Sequence, residues 1–288
     1  VFAAPHRVPA KFVDKQVVVA PRMALRVLEA NPAGPAPVIF IPGWSAGADI
    51  WIDQMNRLTA GHRVIAFDPR SQGDSTVSVD GNTPEQRAID LHQLIASERV
   101  ERPVLVGWSQ AAQDVAAYVS RYGTRDLGGI VLVDAAIAQG AAAITSQPEQ
   151  ASAQFARFAD YLSDQQAYLR GMFGYIISKP QPAGFVDGLV ETAMKTPSSI
   201  GISMLVADMF GRDRTGVLGQ IDCPVLIVAA RKSGELERQK AEQKLIRDAR
   251  FVEIDDASHA VFLDQPERFA AALSAFLEEI GKRPASAR

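Results

Sequence analysis

The stretch RPVLVGWSQAAQDVAAYVSRYG (residues 102–123) changes its hydrophobic period at one residue, Ser109. Before it, RPVLVG is a short β-rich apolar run. After it, QAAQDVAAYVSRYG reads as a long helix with Ala111, Ala112, Ala116 and Ala117 as small packing positions. A strand that turns at once into a helix projects the intervening side chain from a sharp corner. There small neighbours let strand and helix approach, and the helix N-terminus favours developing negative charge. That is the setting a nucleophilic serine needs.

A near twin lies earlier in the chain. FIPGWSAGAD (residues 40–49) satisfies G-x-S-x-G to the letter through Gly43, Ser45 and Gly47, whereas around Ser109 the last glycine is replaced by Ala111. The looser match is the better nucleophile. Pro42 and Gly43 separate strand from Ser45, open the turn into a loop and remove one backbone donor. A glycine-containing loop at a neighbouring strand end suits another task, aiming the N–H of Trp44, beside that of Gln110, at a carbonyl oxygen under attack. Ala111 keeps the small side chain that the crossing requires.

Outward from this corner the same alternation recurs. QVVVA and ALRVLEA read as an opening pair of strands, followed by strands within 36–42, 62–68, 102–107, 128–134, 223–230 and 249–255. Helical stretches over 83–97, 110–122 and 266–280 lie between or after them, the last with Phe269, Leu273, Phe276 and Leu277 on one face. This predicts an α/β protein with a mostly parallel sheet. From about 135 to 219 the alternation stops and Ala, Phe, Tyr and Met recur at helical spacing. The expectation is a core of 1–134 and 220–288 interrupted by a helical cap at 135–219.

A chain of 288 residues with 47% hydrophobic and 22% charged side chains buries one large core, and no apolar stretch approaches the ~20 residues of a membrane span. Its 30 basic and 33 acidic residues form no basic run, which argues against nucleic acid or an anionic membrane as partner and favours a small molecule. A homodimer is compatible with all of this. Cys223 is the only cysteine, so neither an intramolecular disulfide nor a cysteine-rich metal site can form. VFAAP at the start reads either as the remnant of a small-residue signal cleavage site or merely as an arbitrary starting point, which favours export only slightly over the cytoplasm.

A serine needs a base within hydrogen-bond reach. Of the four histidines, His6 falls in the N-terminal tail, His62 before a strand and His92 within a helix. His259 follows the last strand, in a loop at the sheet end where Ser109 should lie, and is the candidate base. With DPRSQGDS (68–75), GWSQA (107–111) and DASHAVFLDQPERF (256–269) in this order, the chain resembles the α/β-hydrolase superfamily from about residue 14 to 280. The resemblance implies a twisted, mostly parallel eight-stranded sheet flanked by helices, a helical cap after the sixth strand, and no metal or organic cofactor.

One position departs from that pattern. Most relatives place the acid that orients the histidine after the seventh strand, where this chain has Ser233. Some carry it at the end of the sixth strand, where this chain has Asp134 in GIVLVDAAIA. Glu235, and behind it Glu237, are the alternatives from the altered loop, and Asp134 also reads as a cap for the segment after it. Asp68 and Arg70 read as structural. Because dehalogenases and epoxide hydrolases of this fold use Asp at the corner, Ser109 points to acyl transfer: an esterase or lactonase acting on an apolar or aromatic ester. Carbon–carbon bond hydrolysis, perhydrolysis and a non-catalytic ligand-binding role are the alternatives.

Overall fold

The structure, a computed structural model, describes residues 8–282. Val1–Arg7, which include His6 and the segment behind the export reading, lie outside the described residues. Eight strands form one sheet: β1 (Val13–Ala20), β2 (Met23–Ala30), β3 (Val38–Ile41), β4 (Val64–Phe67), β5 (Val104–Trp108), β6 (Gly129–Val133), β7 (Val225–Ala230) and β8 (Ala249–Ile254). Their spatial order is β1-β2-β4-β3-β5-β6-β7-β8, antiparallel from β1 to β4 and parallel from there on.

The central strands read as unbroken apolar runs because both faces are covered. Phe40, Val106, Val131 and Val228 point to one buried cluster, while Ile39, Leu105, Ile130 and Ile227 point to the other. On the first face lie α1 (Ile52–Leu58) and the C-terminal helix α11 (Pro266–Lys282), whose Phe269, Leu273, Phe276 and Leu277 are all buried. On the second lie α2 (Pro84–Ser97) and α3 (Ala111–Tyr122), whose Leu91, Leu94, Val115 and Val119 belong to that cluster. The helix over 266–280 therefore runs to Lys282. A short α10 (Val261–Asp264) lies in the loop read as irregular, and α9 (Leu236–Gln243) lies between β7 and β8.

Between β6 and β7 stand α4 (Ala142–Ser146), α5 (Pro148–Ser163), α6 (Gln165–Ile176), α7 (Phe185–Ala193) and α8 (Ser198–Val206), then a π-helical turn at Ala207–Gly211. None of the sheet's eight strands lies in this span. Its two ends are joined by an isolated bridge between Gln139 and Asp213. The insertion shares the sheet's apolar core: Tyr161, Leu169, Phe173 and Met204 are buried in the same cluster as Phe40 and Val106, while Phe155, Phe158 and Phe210 pack on one another outside it. Among the described residues no helix is long and apolar enough to cross a membrane.

Candidate active site

Strand register puts the two central residues side by side. Trp108 pairs with Val133 in the parallel β5/β6 ladder, so Ser109 and Asp134 are the next residues on neighbouring strands, both at the carboxyl edge where such sheets place their sites. Both have a left-handed backbone, Ser109 at φ 57° and Asp134 at φ 45°, a conformation that costs a non-glycine residue roughly 1–3 kcal/mol and clusters at functional positions. The corners are held by the sheet itself. The N–H of Ser109 donates to Val133 O (3.2 Å) and that of Asp134 to Val228 O (2.8 Å). Gly107 allows the sharp return, since a Cβ there would stand 3.2 Å from the Ala111 carbonyl oxygen.

His259 completes the line. Its Nε2 lies 2.8 Å from Ser109 Oγ and its Nδ1 2.8 Å from Asp134 Oδ2. The carboxylate is almost wholly buried, and its other oxygen accepts from the Ala230 N–H (3.0 Å) and from Gln239 Nε2 (3.3 Å). The histidine loop is anchored at several points: Trp108 Nε1 donates to His259 O (3.0 Å), the Ala260 N–H to Ile176 O (2.9 Å), and the Ser258 N–H to Asp264 (2.7 Å). The same Asp264 carboxylate accepts from the N–H groups of Ser178 and Lys179, so the helical insertion and the histidine loop share one anchor.

The alternatives are elsewhere. Glu235 is paired with Arg238 (2.6 Å) and Glu237 with Lys240 (3.2 Å), and neither carboxylate reaches His259. In the loop after β7, Ser233 accepts from the Glu235 N–H, and the carboxylate beside the imidazole is that of Asp134. His62 faces Ala36 O (3.0 Å), and His92 stacks on Tyr122 with ring centroids 3.9 Å apart. Ser45 is fully buried, with His259 bonded to Ser109 instead.

The loop containing Ser45 leans on the serine it resembles. A Cβ on Gly43 would meet Ser109 Cβ at 3.0 Å and the Trp108 ring at 3.1 Å, so only glycine lets the loop pass this close. The N–H groups of Trp44 and Gln110 make no hydrogen bond among the described residues, and Trp44, Gln110, Ser109 and His259 line one cavity. Gln72, fully buried, holds the loop: its Oε1 accepts from the Ser45 N–H (3.1 Å), and its Nε2 donates to Gly43 O (3.1 Å) and Ala46 O (2.9 Å). Asp68 accepts from the N–H groups of Ala48 (2.6 Å) and Asp74 (2.7 Å), and burial pushes its carboxyl up to about 6 despite the nearby Arg26. Arg70 grips Asp90 through two bonds of 2.5 and 2.8 Å.

The cavity measures ≈ 440 Å3. Of the aromatic and methionine positions in the insertion, Met209 and Phe210 reach it, whereas Phe158, Tyr161, Phe173 and Met204 are buried away from solvent. The spacing that marked them as helical did not separate packing from lining. Gln72, Gln239 and Asp264 were missed, because the contacts that give each its place, to Gly43 and Ala46, to Asp134, and to Ser178 and Lys179, are distant in sequence. For Gln72 the position inside DPRSQGDS was the one available signal. Among the described residues no group of three or more His, Cys, Asp or Glu is placed to hold a metal ion.

A parallel sheet with a strained serine at the β5 corner, a histidine after β8 and a carboxylate after β6 defines the α/β-hydrolase class. The chain belongs to the alpha/beta hydrolase family, whose model matches residues 38–272. It is 39% identical over 100 residues to the non-heme chloroperoxidase CPO-A1 of Kitasatospora aureofaciens, covering 34% of this chain and 36% of that protein. It is 38% identical over 102 residues to the bifunctional esterase/perhydrolase DCH of Acinetobacter calcoaceticus, covering 35% and 37%. These matches thus span little more than a third of either relative. The bromoperoxidase structure from Bacillus anthracis superposes with a TM-score of 0.80 at 21% identity, over 92% of this chain and 100% of that one, a likeness of fold.

Proposed function

We propose that the chain is a serine hydrolase that cleaves a carboxylic ester, lactones included, through an acyl-enzyme. The observation that carries this reading is the line of hydrogen bonds from Asp134 through His259 to Ser109, 2.8 Å at each step, opening on a cavity. With Nδ1–H donated to the carboxylate, Nε2 is free to accept the Ser109 proton. Ser109 Oγ attacks the acyl carbon, and the unused N–H groups of Trp44 and Gln110 receive the negative charge that develops on its oxygen. The imidazolium returns the proton to the leaving alcohol. Water then attacks the acyl-enzyme, giving its proton to His259 and releasing the acid.

The helical insertion acts as a cap over this centre. Leu205, Met209 and Phe210 provide an apolar wall, which supports an apolar or aromatic portion in the substrate. Perhydrolysis is the second reading, favoured by the likeness to the bifunctional esterase/perhydrolase. It needs only hydrogen peroxide in place of water as the acyl acceptor, with a peracid released.

Turnover of a short nitrophenyl ester tests the proposal. Wild type should hydrolyse it with a burst of nitrophenol, and Ser109→Ala should lose turnover by orders of magnitude while keeping its circular dichroism and melting temperature. Equal rates in the two proteins would overturn it.

A further inference from the structure

Most of the charged side chains lining the active-site cavity have a partner, although Asp208 shares its Arg87 with the buried Asp114. Asp134 is bonded to His259, Asp208 to Arg87 (2.6 Å), and Glu235 to Arg238 (2.6 Å). Arg238 also donates through Nη2 to Ile137 O (2.7 Å). Arg157, on α5, lines the same cavity with no ion pair and no hydrogen bond among the described residues. Beside it the amides of Gln147 and Gln150 also line the cavity, and their side chains bond to nothing among the described residues. The cavity thus combines an apolar wall at Leu205, Met209 and Phe210 with a rim of unused donors around one guanidinium that makes no ion pair among the described residues.

A guanidinium presents a planar fork of donors that matches a carboxylate in two-point contact, and such charge-assisted bonds are stronger than neutral ones. We infer that Arg157 is a specificity residue that receives a carboxylate remote from the scissile bond, so the preferred substrates are esters with an apolar body and an anionic end. The inference rests on the serine-hydrolase reading and names the substrate class of that site. Arg157 is exposed and touches none of the reacting groups, so replacing it leaves Ser109, His259 and Asp134 in place.

Two matched ester pairs test it, one with the charge on each side of the ester bond: nitrophenyl monoadipate against nitrophenyl hexanoate, and carboxyphenyl hexanoate against phenyl hexanoate. In wild type one charged ester should exceed its neutral partner in kcat/KM by about tenfold, chiefly through KM, and the advantage should shrink with added salt. Arg157→Gln should abolish that preference and Arg157→Glu reverse it, with the neutral esters hydrolysed at wild-type rates by both variants. If neither charged ester is preferred, or if the preference survives both substitutions, the assignment of Arg157 is wrong. Failure of wild type to hydrolyse any of the four esters would overturn the hydrolase reading itself, and the substrate class with it.

Discussion

Asp134→Asn isolates the contribution of the carboxylate with little change in shape. In wild type one oxygen faces two donors, the Ala230 N–H and Gln239 Nε2, while the other faces His259 Nδ1. An asparagine must present its carbonyl to one side and its NH2 to the other. With the carbonyl toward Ala230 and Gln239, the NH2 points at Nδ1 and forces the tautomer that carries its proton on Nε2, where it meets Ser109 instead of accepting from it. The flipped amide restores the contact to Nδ1 but sets its NH2 against two donors in a buried site, a penalty of about 1–3 kcal/mol per unpaired group. The first arrangement prevails, and kcat should fall by up to ~10⁴-fold by analogy with serine proteases, with KM nearly unchanged. Steady-state kinetics on a nitrophenyl ester, run beside Glu235→Gln, reads this directly. A rate for Asp134→Asn within about tenfold of wild type, with Glu235→Gln collapsed, would refute the reasoning and return the acid to the loop after β7.

Ser45→Ala should leave kcat within about tenfold of wild type, because this serine's side chain is buried within its loop and the histidine is engaged by Ser109. Gln72→Leu strips the partners from Ser45, Gly43 and Ala46 and should lower kcat on the order of 10²-fold as the Trp44 donor drifts, with a lower melting temperature but unchanged KM. Glu242 accepts from the Ile137 N–H (2.8 Å), and burial pushes its carboxyl from 4.5 to about 7. The folded chain therefore holds that proton more tightly than the unfolded one, and the cost of the charged form, absent below pH 4.5, grows to its full value above about 7. Glu242→Gln should accordingly stabilise the protein by ~1–3 kcal/mol at pH 8 and have little effect at pH 4, measured by denaturant titration at both.

The sheet was legible because its signal is local. Each parallel strand is a short apolar run, and the change from β to helical period at Ser109 occurs within a few residues. That Ser109, and not Ser45, stands beside His259 was legible for the same reason, since Pro42 and Gly43 already open the earlier turn. The carboxylate that neighbours His259 was readable only to a choice between Asp134 and Glu235. What decides it is the adjacency of β5, β6 and β7, which brings the Ala230 N–H onto the carboxylate and leaves Glu235 to Arg238. Gln239 and Arg157 carry no sequence signature: one glutamine or arginine on a helix looks like any other until the fold shows what it faces. The insertion was legible as helix, yet its aromatic residues divide, Tyr161 and Phe173 filling the shared core while Phe210 lines the cavity and Tyr175 is exposed, because spacing identifies a face without saying what covers it.

The most direct test of the account is covalent capture of the nucleophile. A fluorophosphonate probe should add one equivalent to the native protein, peptide mapping should find it on Ser109, and Ser109→Ala should take up none while Ser45→Ala labels like wild type. An adduct mapped to Ser45, or stoichiometric labelling that survives Ser109→Ala, would contradict the assignment of the active site.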